Sequence, residues 1–346
     1  MSEILVTGGN GFVGRHLAAA LQDRGDRVRA LALPSEDTAW LEQRGFAVYQ
    51  GDVRQPSTLV EPMRGVDAVV HLAAMMDVWR PVADYHDVNV TGTENVCRAA
   101  LAAGVDRLVH MSSSSVYGVA LGQPADECFP MSPFRDPYPV TKAAGDRLVQ
   151  RMIRGERLPA VIVRPDQIFG PGDHLHFGRM ADRLRAGKGI VIGSGDNALP
   201  LVYVSDAIQG LLLALDHDRA LGQVYNITTD RPLTQRQFLA AIAHEVGGHV
   251  PRLHLPYRLL YTAGYAAERL ALLARSERRP PITRLGVAFL GTDNRYSIDK
   301  ARRELGYSPQ VALEEGVGLA ATWYRQRESR PARVPTLGRP AEEVRV

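Results

Sequence analysis

A tyrosine and a lysine stand four places apart in YPVTK, residues 138 to 142. Residues four apart share one face of a helix, so on a helix Tyr138 and Lys142 project together. A phenol titrates near 10, too high for a base at neutral pH, but a fixed ammonium beside it favours the phenolate. The pair therefore reads as a proton-transfer device in which Lys142 lowers the pKa of Tyr138. The plain alternative is two polar residues sharing a solvated face, and only the rest of the chain decides between them. Pro139 suits the first turn of a helix, where its missing N–H costs nothing, and predicts a helix starting at the tyrosine. Upstream, HMSSSSVYG (110–118) follows an apolar run, so its serines are expected where a strand ends.

A second constellation lies near the start. In TGGNGFVG (7–14), Gly9, Gly11 and Gly14 satisfy G-x-G-x-x-G, and Gly8, Gly11 and Gly14 satisfy G-x-x-G-x-x-G. The loop sits between an apolar strand and an amphipathic helix, the context in which such glycines let the backbone approach a pyrophosphate at the positive helix end. It predicts a dinucleotide site. A carboxylate at the end of the second strand usually takes the adenosine ribose, and an arginine there a 2′-phosphate; this chain has Ala32 and Leu33. Glu36 and Asp37 follow Pro34 and would repel a phosphate. NAD is the expected cofactor and NADP is not excluded; two ordinary loop acids are the plain alternative.

These groups need a frame. EILVT (3–7), RVRALAL (27–33), AVYQGD (47–52), DAVVHLA (67–73), DRLVHMS (106–112) and AVIVRP (160–165) are short apolar strands, most followed by helical periodicity. That alternation predicts α/β architecture: a Rossmann-type doubly wound parallel sheet, the serines emerging at its carboxyl edge. Beyond residue 172 strands such as GIVIG (189–193) mix with helices, predicting a smaller mixed α/β C-terminal substrate lobe. The expected division is 1–172 for the dinucleotide domain, with 200–230 returning to it, 173–199 and 231–327 for the lobe, and 328–346 as a disordered tail. Lys plus Arg (41) barely exceed Asp plus Glu (38), with no basic block, which argues against nucleic acid. No apolar stretch reaches a membrane span. No signal-peptide pattern opens the chain, and Cys97 and Cys128 are too far apart for a CxxC motif, so a cytoplasmic protein with reduced thiols and no metal site is expected.

Together, TGGNGFVG, Asp52 in GDV, HLAA (71–74), Asn89 in NVTGTENV, the serine run before VYG, and YPVTK resemble the extended short-chain dehydrogenase/reductases over about residues 3 to 325. The resemblance implies that Tyr138 is the acid/base, that Lys142 tunes it and holds the nicotinamide ribose, and that Ser113 donates to the substrate oxygen. It further implies cofactor contacts from Gly8, Gly11, Phe12, Val13, Gly14, Asp52, Val53, Leu72, Ala73, Ala74 and Pro165. Asn89 and His71 are expected to be structural. A homodimer is implied as well.

Dehydratase relatives place an acid pair after the serine; here Ser114 and Ser115 follow Ser113. Sugar epimerases carry an Asn where Gln167 stands and a diphosphate-gripping Arg where Leu199 stands, so a doubly charged ligand would lose a charge-assisted contact. Residues 256–291 resemble the 3β-hydroxysteroid dehydrogenase branch, which includes sterol-4α-carboxylate 3-dehydrogenases and 2-alkyl-3-oxoalkanoate reductases. The implied activity is alcohol–ketone oxidoreduction on a hydrophobic substrate, steroid-like or a long β-hydroxy or β-keto acyl compound. Met75, Trp79, Ser114, Gln167, His174, His176 and Phe177 are the expected substrate contacts, with 256–291 as a pocket wall that could touch a membrane surface. The rival readings are a nucleotide-sugar 4-epimerase or 4-ketoreductase, and a dinucleotide-binding regulator without chemistry.

Overall fold

The computed structural model describes residues 1–328. Seven strands form one parallel sheet: β1 (Glu3–Thr7), β2 (Arg27–Ala32), β3 (Ala47–Gln50), β4 (Ala68–His71), β5 (Arg107–Met111), β6 (Ala160–Pro165) and, from much later in the chain, the strand Val224–Ile227. Their spatial order is β3-β2-β1-β4-β5-β6 followed by Val224–Ile227. The order reverses between β1 and β4, and such a switch point opens a crevice at the carboxyl ends of the strands.

Both faces of the sheet are covered, which is why its strands are apolar almost throughout. Alternate residues enter two separate cores. Ile4, Val6, Val109, Val161 and Val163 pack on one face, while Leu5, Leu108, Ala160 and Ile162 pack on the other. Each fully buried aliphatic side chain is worth roughly 1.5–3 kcal/mol. The helix Val204–Asp216 packs against the helix Phe12–Asp23 on the first of these faces.

Outside the sheet, β7 (Gln167–Phe169) pairs in parallel with β9 (Leu201–Tyr203), and β8 (Val191–Ile192) with β11 (His254–Leu255); Val224–Ile227 is thus β10. The strand read in GIVIG narrows to two residues, because only His254 and Leu255 are available to pair with it. Around these pairs stand the helices Arg179–Arg185, Gln235–Glu245, Tyr257–Leu273, Arg284–Gly291 and Leu313–Glu328. Glu328 therefore closes a helix, and the rest of the tail expected to be disordered lies outside the described residues. Among the described residues no helix is long and apolar enough to cross a membrane, and no group of His, Cys, Asp and Glu is arranged to hold a metal.

Candidate active site

The helix carrying YPVTK begins one residue before the tyrosine. It spans Pro137–Glu156, with Pro137 in its first turn and the Asp136 carboxylate capping the Tyr138 N–H at 3.2 Å. Its anchor is a buried ion pair. Asp146, fully buried, accepts two hydrogen bonds from Arg164 of β6 at 2.8 and 2.9 Å. Arg164 also donates to the Tyr117 hydroxyl at 2.7 Å, and Tyr117 in turn donates to Asn226 of β10 at 2.7 Å. The helix is thereby fixed against two strands of the sheet.

Asn89 sits in a widened turn, Asp87–Gly92, and joins three elements. It receives the Met75 N–H at 2.8 Å and donates to the Met75 carbonyl and to Thr141 at 3.0 Å each. His71 is buried between Thr7 and Thr93. Burial and the nearby Lys142 charge pull its pKa down to about 3, so it is neutral.

One cavity of about 1280 Å³ runs across the carboxyl edge of the sheet, larger than the roughly 300–1,000 Å³ of an ordinary small-molecule site. Its near end is backbone. Gly8 has φ +69, and a Cβ there would lie 2.9 Å from the Ala73 nitrogen; a Cβ on Gly14 would lie 2.3 Å from the Gly8 oxygen. Gly11 caps the helix Phe12–Asp23 without a side-chain hydrogen bond, and the first N–H groups of a helix have no intrahelical partner. A cradle that a Cβ would fill, facing free donors at a positive helix end, fits a pyrophosphate. Phe12, Val13, Val53, Leu72, Ala73, Ala74 and Pro165 line the same cavity. Asp52 does too, although its carboxylate is engaged by Arg54: burial pushes its pKa up, and the Arg54 hydrogen bonds more than offset this. Glu36 lines the cavity with one oxygen taking the Leu33 N–H at 3.2 Å.

Tyr138 and Ser113 line the middle. Ser113 Oγ accepts the Ser115 N–H at 3.2 Å, and its hydroxyl also bonds the Tyr138 phenol. Two expectations need correction here. Burial pushes the Tyr138 phenol above its usual pKa, with only a hydrogen bond to Ser113 pulling it back; Lys142 does not depress it. Nor does Lys142 line the cavity: its Nζ donates to the Met111 carbonyl at 2.7 Å, and burial lowers it to about 8, partly offset by Asp146. The reason is shared, since one-turn spacing sets the direction of the two side chains but not the desolvation that dominates both.

At the far end stand Met75, Trp79, Ser114, Gln167, His174 and His176, with Leu199 and the second-lobe residues Ala271, Leu272, Phe289 and Leu290. Phe177 touches the cavity but is 1% exposed and packs against Phe169, so it is chiefly core. His174 stacks edge-on against Trp323. Asp166, which the sequence reading passed over, also lines this end; a lone acid directly after an apolar strand was the available signal.

Residues 4–228 match the NAD dependent epimerase/dehydratase family. The chain is 35% identical over 325 residues to the 2-alkyl-3-oxoalkanoate reductase of Stenotrophomonas maltophilia, covering 91% of this chain and 97% of that one. It is 31% identical over 341 residues to a 3-beta-hydroxysteroid dehydrogenase of Mycolicibacterium neoaurum, covering 94% and 92%. The dTDP-glucose 4,6-dehydratase DesIV of Streptomyces venezuelae, solved with NAD bound, superposes with a TM-score of 0.75 at 28% identity, covering 94% of this chain and 98% of that one.

Proposed function

We propose, for a chain that belongs to the NAD dependent epimerase/dehydratase family, NAD-dependent interconversion of a secondary alcohol and a ketone on a hydrophobic substrate, either steroid-like or a long β-hydroxy or β-keto acyl compound. The observation that carries the substrate class is the far end of the cavity. Leu199 stands where the sugar-nucleotide enzymes were expected to hold a diphosphate with arginine, and Met75, Trp79, Leu272, Phe289 and Leu290 line the same cavity. The names of the relatives, an oxoalkanoate reductase and a hydroxysteroid dehydrogenase, agree with that reading.

In this reading Gly8, Gly11 and Gly14 hold the pyrophosphate, Asp52 and Glu36 the adenosine, and Leu72, Ala73, Ala74 and Pro165 the nicotinamide end, while Lys142 acts from behind the cavity wall by holding the Met111 carbonyl. The nicotinamide, when bound, supplies or accepts hydride. Ser113, beside Tyr138, orients the substrate oxygen through its hydroxyl proton. Tyr138 gives that oxygen a proton on reduction and takes one on oxidation; its raised pKa keeps the phenol protonated at neutral pH, which suits reduction. Tyr138→Phe should lower turnover roughly 10²–10⁴-fold while an NADH fluorescence titration gives an unchanged Kd. Turnover at the wild-type rate would remove Tyr138 from this role.

The same reading includes a homodimer, to be checked by light scattering, and a cytoplasmic setting in which Cys97 and Cys128 stay free thiols. It also gives 256–291 a peripheral membrane contact. Leu253, Leu259, Leu270, Leu272 and Leu273 each expose more than half their surface, and Arg258, Arg269, Arg275 and Arg278 are exposed among or beside them. Leu272 and Arg275 also line the cavity, so an apolar substrate would enter beside this patch.

A further inference from the structure

The apolar end of the cavity is roofed by a helical hairpin that packs on the rest of the molecule along a thin line. In the helix Tyr257–Leu273 only Leu260, Gly264 and Glu268 are buried, one residue per turn, which makes a single narrow stripe along one side. That stripe meets the helix Arg284–Gly291. A Cβ on Gly264 would lie 3.0 Å from the Arg284 nitrogen, and Glu268 accepts both the Arg284 N–H and its Nε–H, at 2.7 and 2.6 Å. The base of the hairpin is anchored. Leu260 and Val287 share a small apolar cluster with Ile192 of β8, and the Leu290 carbonyl accepts from Asn197 at 2.8 Å and from Gln235 at 2.6 Å. The tip is held by less. Leu272, Arg275, Ser276, Glu277 and Arg279 line the cavity there. Among the described residues, the ion pair of Arg279 with Asp77 is the one polar contact that joins 274–282 to anything outside the hairpin.

Asp77 stands in the loop after β4 at φ +53, a left-handed backbone that an aspartate adopts at a cost. The loop is clamped on both sides of it. Asn89 holds the Met75 backbone, and the Tyr85 hydroxyl accepts the Val78 N–H at 3.1 Å and donates to the Val78 carbonyl at 2.6 Å. Arg279 pairs with Oδ1 of Asp77 and Arg179 with Oδ2. The side chains of Asp77, Arg279 and Arg179 are 11%, 29% and 55% exposed, so the pairing lies where the cavity meets solvent. An ion pair placed there contributes little. The outer side of the same hairpin carries Leu270, Leu272 and Leu273, each more than half exposed, with Arg269, Arg275 and Arg278 exposed among or beside them. An anionic bilayer attracts every arginine near its surface, several at once. We propose that the hairpin 257–291 is a lid latched by Asp77, and that an anionic bilayer releases it. Arg275, Arg278 and Arg279 then turn to lipid phosphate, the tip rises, and the cavity opens beside the membrane that holds the apolar substrate. This rests on the membrane contact proposed for 256–291. The loop that carries Met75 and Trp79 relaxes with the loss of its latch.

The test mixes the full-length protein, NAD and a long-chain secondary alcohol with vesicles of phosphatidylglycerol or of phosphatidylcholine. It reads flotation, turnover, and amide exchange by mass spectrometry. With phosphatidylglycerol, wild type should float, and its kcat/KM should rise roughly three- to fivefold, the most that a partly exposed ion pair holds back. Amide exchange should quicken in 75–81 and in 274–283. Phosphatidylcholine should produce none of these changes. Asp77→Asn, which offers Arg279 no charge, should start at the raised kcat/KM without lipid and gain less than about twofold from phosphatidylglycerol, while floating like wild type. Partitioning of the alcohol into lipid affects both proteins alike. Wild type that floats yet keeps its kcat/KM and its exchange unchanged would overturn the lid, and Asp77→Asn that behaves as wild type would overturn the latch. Failure to float would remove the membrane contact, and the release with it. Should wild type oxidise no alcohol in any mixture, the oxidoreductase reading fails separately, and the exchange of the two proteins with and without phosphatidylglycerol still decides.

Discussion

The two ends of the cavity are made of different material. The glycine end is backbone: Gly8, Gly11 and Gly14 leave space beside the first N–H groups of the helix, and the tolerance there is set by where a single methyl would fall. The apolar end is side chains gathered from four distant segments, Met75 and Trp79, His174 and His176, Leu199, and Leu272 to Leu290. A site made of backbone has to be written as a short motif, because only contiguous residues can shape one turn. A site made of side chains leaves no local pattern, because each wall residue is chosen by what it faces across the cavity.

That contrast is open to attack from both ends. The largest effect is expected at the anchor of the helix that carries Tyr138, where Asp146→Ala leaves Arg164 without its counter-charge in the core. Chemical denaturation should show a loss of about 3–5 kcal/mol; a loss below 1 kcal/mol would mean that the sheet does not hold the helix through this pair.

Next comes an acid of the apolar end. Asp166 titrates near 7 when folded and near 4 when unfolded, so the native state keeps its proton over that interval while the unfolded chain loses it. Stability should therefore fall as pH rises from about 4 to about 7, by up to roughly 4 kcal/mol, and then level off. Asp166→Asn should flatten this slope in melts across the range; an unchanged slope would assign it to other groups.

Gly14→Ala puts a methyl 2.3 Å from the Gly8 oxygen. It should cost about 1–3 kcal/mol in overpacking and abolish NADH fluorescence enhancement. Retained cofactor binding would show that the loop yields more than its geometry suggests. The smallest effect on folding belongs to the apolar lobe. Leu270→Glu with Leu273→Glu, both more than half exposed, should leave stability within about 0.5 kcal/mol while abolishing co-flotation with anionic vesicles. Flotation that survives the double change would remove the membrane contact.

Much of the first half was readable because its signals are local. The strands β1 to β6 follow from apolar runs, the glycine loop from its place between strand and helix, and the start of the helix carrying Tyr138 from Pro139, to within one residue. The second half was less readable: GIVIG reduced to a two-residue strand, since a pairing partner 63 residues away, at His254 and Leu255, sets its length. Spacing placed Tyr138 and Lys142 on the same helix turn and suggested that one would acidify the other. The folded molecule turns the ammonium to the Met111 carbonyl and lets burial raise the phenol.

The order of residues by itself determined which segments become strands, where a pyrophosphate would meet a helix end, and which hydroxyl and amine stand one turn apart, because these depend on backbone periodicity and on neighbours a few positions away. Tertiary structure alone decided which of those groups are charged, that Asp166 is buried, and that Leu272 and Leu199 line the same cavity. Desolvation and enclosure are sums over elements far apart in the chain, and they exist only once those elements have packed.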